Sequence, residues 1–241
     1  MNALPENFVD LIFADPPYNL SNNGFSVHAG RRVSVNKGQW DESKGFELDF
    51  EFHLKWLEAC QRILKPSGSI WVSGTYHSIY QCGAVLQMLG YHILNDIAWY
   101  KPNASPNLSC RYFTASHETL IWARKDKNSK HCFNYEEMKN GDWHVNDSVK
   151  NPGKQMRSVW AINTPHRFEK KYGKHPTQKP LELLHRIILS SSHEGDLVFD
   201  PFTGSSTTGI AAFHNNRSFI GVDKEIKYLE LSKKRFSDLL L

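Results

Sequence analysis

Asp15, Pro16, Pro17 and Tyr18 stand in a row directly after the apolar run Leu11–Ala14. Each proline fixes φ and removes an amide N–H. The carbonyls between them cannot be absorbed into a helix and are left as outward-facing acceptors. Asp15 adds a carboxylate acceptor, and Tyr18 adds a flat ring face. That set suits a planar heterocycle bearing an exocyclic amine: two acceptors take the two N–H protons while the ring stacks on the tyrosine. A rigid strand exit with a packed tyrosine would use the same four residues.

A second apolar run, Leu197 to Phe199, delivers Asp200, Pro201, Phe202, Thr203 and Gly204, and a helix is expected from about Thr207. In open α/β sheets, ligands sit in the crevice at the carboxyl ends of the strands. Gly204 lets a ligand approach the backbone closely. Asp223 closes the next strand, where an acid can accept hydrogen bonds from both hydroxyls of a ribose. Together these features describe a nucleoside site. The chain has no G-x-G-x-x-G and no Walker lysine, so a dinucleotide or triphosphate fits poorly. For the glycine turn taken alone, a tight strand-to-helix turn with a surface acid remains the plainer alternative.

The elements that must position these groups alternate. Strands are expected at Val9–Ala14, Ser69–Gly74, Tyr91–Lys101, His117–Lys125, Leu197–Phe199 and Arg217–Val222. Helices are expected at Phe50–Leu64, with Phe52, Trp56, Leu57 and Ile63 inward, at Ile79–Leu89, from Leu181, and at Lys227–Leu241, with Tyr228, Leu231, Phe236 and Leu239 inward. Such alternation implies an α/β fold with a doubly wound, mainly parallel sheet. The stretch Ser21–Gly45 is polar and too long for an ordinary connection, as expected of a mobile functional loop. Residues 126–173 are polar, without periodicity, and read as a small recognition lobe. This divides the chain into a catalytic half (1–125), the lobe (126–173) and a cofactor half (174–241).

Of the 241 residues, 40% are hydrophobic, and the formal net charge of +4 permits a polyanion partner without demanding one. Basic side chains suited to phosphates include Arg31, Arg32, Lys101, Arg111 and Arg157. In "RYF" a guanidinium, Arg111, precedes two rings, Tyr112 and Phe113, a set that suits base stacking or edge contacts and equally a packed core. The four cysteines form no C-x-x-C pair and the histidines show no ligand spacing, so reduced thiols and no metal are expected. No apolar run is long enough to span a membrane, and the protein is read as cytoplasmic.

"DPPY" with "DPFTG" resembles the amino-methylating DNA methyltransferases that use S-adenosyl-L-methionine. The catalytic tetrapeptide first and the cofactor turn last is the permuted order of the group called beta. "KHPTQKP" (Lys174–Pro180) is similar to that group's additional cofactor motif. The stretch Ser105–Phe113 with "HETLIWARK" looks closest to the second adenine methyltransferases of Dpn II-type restriction systems, which act on GATC and accept single strands. The resemblance implies a Rossmann-like methyltransferase fold and transfer to the N6 of a flipped adenine in DNA. It assigns Asp15, Pro16, Pro17 and Tyr18 to catalysis. It assigns Lys174, His175, Thr177, Gln178, Asp200, Pro201, Phe202, Gly204, Ser205, Thr207 and Asp223 to the cofactor. It also implies a cognate endonuclease and a homodimer. Aspartate in the first position is what the family uses mainly for adenine, while cytosine-N4 enzymes, the sister chemistry, more often carry serine. Cytosine-C5 chemistry is excluded by the lack of a Pro-Cys pair. A non-catalytic DNA-binding relative stays open because of two departures. Ser206 occupies the usual third-position glycine of the cofactor turn, which costs about 1–2 kcal/mol if that position needs positive φ. And only Met1 to Asn7 precede Phe8, too few for the strand–helix unit that relatives carry there; either this chain starts late or the sheet lacks an edge strand and is left uncovered.

Overall fold

A computed structural model describes residues 1, 3–21, 25–28, 31–34, 38–107, 109–141, 143, 153–173, 175–237 and 239, with the backbone alone for 25–28, 31–34 and 39. In chain order the elements are β1 (Val9–Ala14), β2 (Phe25–His28), β3 (Arg31–Ser34), α1 (Phe46–Ile63), β4 (Leu64–Gly74), α2 (Ile79–Met88), β5 (His92–Tyr100) and β6 (His117–Arg124). There follow α3 (Tyr135–Asn140), β7 (Val159–Ala161), α4 (Leu181–Ser191), β8 (Leu197–Asp200), α5 (Thr207–His214), β9 (Ser218–Gly221) and α6 (Ile226–Ser237).

Among the described residues, seven strands form one sheet in the order β7-β5-β6-β4-β1-β8-β9. β1 lies parallel to β4 on one side and to β8 on the other, and β8 continues parallel to β9. β6 runs against both its neighbours, so the sheet is mixed, as well as mainly parallel and doubly wound. Successive β1 side chains go to opposite faces. Ile12 and Ala14 join Trp56, Leu57, Cys60 and Ile63 of α1, with Cys82 and Val85 of α2. Leu11 and Phe13 join Leu183, Leu184 and Ile187 of α4, with Ala211 and Ala212 of α5. A strand covered on both faces has no polar side, which is why Leu11–Ala14 of β1 reads as an unbroken apolar run.

The stretch 126–173 is more integrated than its composition suggests. β7 pairs in parallel with β5. Trp160 is buried, 5.8 Å from the ring of Trp71, which itself stacks on Trp122 at 5.1 Å. The guanidinium of fully buried Arg186 lies 5.1 Å from Trp160 and 5.2 Å from Trp143. Two expected details change. Phe52 is 40% exposed, standing 6.1 Å from Phe202 rather than inside, and His53 occupies the buried position instead. The last helix ends at Ser237, where Phe236 stacks on Phe219 at 6.3 Å. The 21–45 stretch holds the β2–β3 hairpin and a 3-10 turn at Gln39–Asp41.

Trp160→Ala removes a buried ring and strips one face from a buried cation. Urea unfolding should show a loss of about 3–5 kcal/mol; a loss below about 1 kcal/mol would mean that β7 is only laid against the core.

Candidate active site

Because β1 and β8 pair in parallel through Leu11–Val198 and Ile12–Phe199, Asp15 and Asp200 emerge side by side. β6 is antiparallel, so its starting end reaches this same edge and brings Glu118. The Tyr100–His117 pairing sets Lys101 beside it. The segment before α4 then lays Lys179 across the group.

These side chains form one buried cluster. The Tyr18 hydroxyl donates to Asp15 Oδ1 at 2.5 Å, with Glu118 Oε2 a second acceptor at 3.0 Å and Ser73 Oγ at 2.9 Å. Lys179 Nζ donates to Asp15 Oδ2 at 2.5 Å, lies 3.6 Å from Glu118 Oε2, and stands 5.0 Å from the centre of the Tyr18 ring. Lys101 pairs with Glu118 Oε1 and rests 4.5 Å over Trp99. Two expectations change here. The Tyr18 ring, expected as a stacking face, is buried with Lys179 over it, and its hydroxyl donates to Asp15. Lys101, expected to meet phosphate, is paired with Glu118 here while lining the cleft described below.

Burial pushes the Asp15 carboxyl up, outweighing the pull of the Lys179 ammonium, and Glu118 adds to the rise. Burial also pushes on Glu118, but Lys179 and Lys101 overcome it and hold that carboxyl at about 2. Burial opposes the charge on Lys179, yet the two carboxylates more than offset this and keep it an ammonium. Burial, with both carboxylates nearby, raises the Tyr18 phenol well above its ordinary range, so it stays a donor.

Asp41 holds the backbone at the end of the tetrapeptide and just beyond it. Its buried carboxylate accepts the amides of Tyr18 (2.8 Å) and Asn19 (3.0 Å) on Oδ1, and the amide of Leu20 (3.2 Å) and the Ser21 hydroxyl (3.1 Å) on Oδ2. Among the described residues no donor holds the Pro16 carbonyl, which is left as an acceptor.

A cavity opens between the two strand ends. Asp15 and Lys179 form one wall; Asp200, Phe202, Gly204, Ser205 and Thr207 form the other; His175, Thr177 and Gln178 cover it. Gly204 sits at φ +49°, and a Cβ there would lie 3.0 Å from the His175 ring, so the glycine makes room for that ring. The His175 ring meets Tyr228 edge-on at 4.1 Å and Trp40 at 6.4 Å. Asp223 accepts the amides of Gly204 and Glu225, each at 2.8 Å. It stands behind the turn with Pro201, and neither lines the cavity. Ser206 is left-handed (φ 56°, ψ 40°). Its hydroxyl, bonded to Thr203 and Ser232 at 2.9 Å each, offsets a strain of about 1–2 kcal/mol. Asp200 is buried; it accepts the Thr208 hydroxyl at 2.6 Å and the Phe202 amide at 2.9 Å. Burial nevertheless pushes it up to about 7. Gln178 donates to the Glu169 carbonyl at 3.0 Å, and its buried Oε1 has no donor. Lys174 lies outside the described residues.

The same His175–Lys179 segment also walls a much larger cleft. Tyr18, Lys101 and Glu118 form its floor; Tyr76, Tyr80, Tyr112 and Phe113 line it too, all largely exposed. Phe113 is 100% exposed, so the "RYF" rings are not core. Arg111 is exposed beside them, and Arg157 is exposed with its carbonyl accepting from Trp160; neither lines the cleft. Arg31 and Arg32 lie on β3, their side chains outside the described ones. Glu118, Lys179 and Asp41 do not stand out in the sequence as site residues. The available signals were an acid opening an otherwise apolar strand in "HETLIW" and a lysine inside "TQKP". Among the described residues no metal-ligating cluster occurs and no helix is long and apolar enough to cross a membrane.

Fold and site together place a small cavity at the two strand ends beside an aromatic, partly basic cleft, the two sharing the 175–179 segment as a wall. Residues 9–234 match the family described as DNA methylase, and the chain belongs to it. It is 51% identical over 232 residues to the type II methyltransferase M2.DpnII of Streptococcus pneumoniae, covering 96% of this chain and 83% of that one. It is 46% identical over 241 residues to M2.MboI of Moraxella bovis, covering 99% and 84%. A crystal structure of an M1.HpyAVI–SAM complex superposes with TM-score 0.68 at 29% identity, covering 95% and 89%. The cytosine-N4-specific PvuII DNA methyltransferase superposes with TM-score 0.71 at 19% identity, covering 98% and 82%, a likeness of fold. The chain is a DNA methyltransferase, and DNA is its substrate.

Asp41→Ala frees three amides and a hydroxyl next to the tetrapeptide. Turnover should fall at least about tenfold while S-adenosyl-L-methionine affinity, measured by calorimetry, stays within about threefold. Unchanged turnover would remove Asp41 from the machinery.

Proposed function

We propose that this DNA methyltransferase transfers a methyl group directly from S-adenosyl-L-methionine to the N6 of an adenine flipped out of the helix. The observation that carries the reading is the common wall: the His175–Lys179 segment borders both the glycine-turn cavity and the large cleft, with Asp15 on the cavity side and Tyr18, hydrogen-bonded to it, on the cleft side. The cavity residues suit the cofactor. The unpartnered Gln178 Oε1 and the Asp200 carboxyl favour a cationic, donor-bearing ligand. Phe202 would meet the edge of its adenine, while His175 and Thr177 would cover its methionine half. When bound, S-adenosyl-L-methionine supplies an electrophilic methyl on a sulfonium; the N–C bond forms as the S–C electron pair returns to sulfur.

The amine is a weak nucleophile because its lone pair is delocalised into the ring. Asp15 and the Pro16 carbonyl accept its two protons, which lets the nitrogen become tetrahedral and directs the lone pair at the methyl. Tyr18 and Lys179 hold the two Asp15 oxygens in place for this. The work is positioning and electrostatics. After transfer the nitrogen sheds one proton, for which Asp15, its proton affinity raised by burial, is the nearest acceptor.

By the same resemblance, the enzyme is the modification partner of a type II restriction endonuclease in the cytoplasm and acts as a homodimer. GATC is its first candidate sequence, in double or single strands. Incubation with labelled cofactor and DNA should put the label in N6-methyladenine, and Asp15→Ala should cut the rate at least about 100-fold. Label in N4-methylcytosine would assign the sister chemistry.

Asp200 sets a second expectation. Its carboxyl is held at about 7, and a cationic ligand favours the ionised form. Cofactor affinity should therefore rise roughly tenfold from pH 6 to pH 8, as the ionised fraction climbs from about a tenth to about nine-tenths. Asp200→Asn should flatten the curve; a wild-type curve already flat across this window would separate Asp200 from the cofactor.

A further inference from the structure

The floor between the two cavities holds more charge than an acceptor for one amine requires. Asp15, Lys179, Glu118 and Lys101 alternate in sign, and none has a side chain more than 17% exposed. We propose that Lys179 and Glu118 are a positioning pair that sets how readily Asp15 gives up and takes a proton, Lys179 fixing one carboxylate oxygen while Glu118 opposes its charge. This inference rests on the reading of Asp15 as the acceptor of the target amine.

The geometry argues for a tuned group rather than a strut. Lys179 reaches Asp15 from a separate part of the chain, 164 positions away, and is 7% exposed. The flanking segment is held from one residue: the Gln178 side-chain amide donates to the Glu169 carbonyl at 3.0 Å, and the Leu181 backbone amide donates to Glu169 Oε2 at 2.9 Å. The ammonium can therefore sit at 2.5 Å from Asp15 and 3.6 Å from Glu118 with little room to leave. The Tyr18 hydroxyl has both carboxylates within reach, so it ties the two acids into one unit.

Every packed element contributes a group. Tyr18 comes from the same loop, Ser73 from β4 through Tyr18, Glu118 from β6, and Lys101 from beyond β5 against Glu118. Lys179 comes from the segment before α4, and Asp200 from the end of β8. In a dry site an ammonium at this distance favours the ionised acid and a second carboxylate disfavours it. Titration there belongs to the coupled group. Had the cluster only a structural role, removing either charge would cost stability without moving the titration of the reaction in opposite senses.

The test is the pH dependence of single-turnover methyl transfer by the cofactor-saturated enzyme on an adenine-containing oligonucleotide. The acid limb should report Asp15 ionising. Lys179→Met should move that limb to higher pH by at least about one unit and slow the plateau at least about tenfold. Glu118→Gln should move it to lower pH. Lys179→Arg, which keeps the charge, should leave it near its original position, and the double variant Lys179→Met/Glu118→Gln should fall between the singles. Circular dichroism and a cooperative thermal transition identify the folded variants. If Lys179→Met does not fold, Glu118→Gln alone decides, and its downward shift is required. Shifts of the same sign, or none, with Asp15→Asn inactive, overturn the pair while sparing Asp15. Wild-type transfer by Asp15→Asn removes the acceptor itself, and this inference with it.

Discussion

Two parallel strands paired at Leu11–Val198 and Ile12–Phe199 must end side by side, and that constraint organises everything above them. One end carries the Pro-stiffened acceptor segment and the other the glycine turn, so a cavity forms where the helices that cover the faces diverge. The faces are closed by different helices, α1 and α2 on one and α4 and α5 on the other. The crevice thus rests on a strand with both faces buried, a rigid base for a reaction that depends on placement.

What the crevice holds is costly. Several carboxylates and ammoniums sit with little exposure to water, and each would be expensive alone. The solution is alternation: each acid has an ammonium within 3.6 Å, and the tyrosine hydroxyl joins them. Asp200 solves the same problem differently, by rising to about 7, which keeps it neutral part of the time at physiological pH. The turn beside it tolerates a left-handed serine because Ser206 spends its hydroxyl on Thr203 and Ser232, while Arg235 braces Ser205 and Thr207.

The two strand ends were legible because the tetrapeptide and the glycine turn are local: a run of apolar residues, then an acid, then Pro or Gly. β1 was bounded to the residue for that reason. Lys179 and Glu118 were not legible: Lys179 meets Asp15 across 164 positions, and Glu118 meets Tyr18 across 100, a contact that exists only once β6 is known to run backwards. Asp41 was hidden in a polar stretch, where one aspartate looks like any other until it winds four donors around itself. Composition misled at 126–173, where few apolar residues suffice because Trp160 and Trp143 are large and sandwich a buried arginine. The early loop, Arg31 and Arg32 included, could be judged from neither periodicity nor local motif.

The most direct measurement is a crystal structure of the enzyme with an unreactive cofactor analogue and an oligonucleotide bearing the target adenine. The adenine N6 should lie within hydrogen-bond distance of both an Asp15 oxygen and the Pro16 carbonyl, with the analogue's sulfonium-equivalent atom opposite, in the cavity bounded by Gly204 and Asp200. An adenine amine bound away from Asp15, or an analogue outside that cavity, would contradict the account.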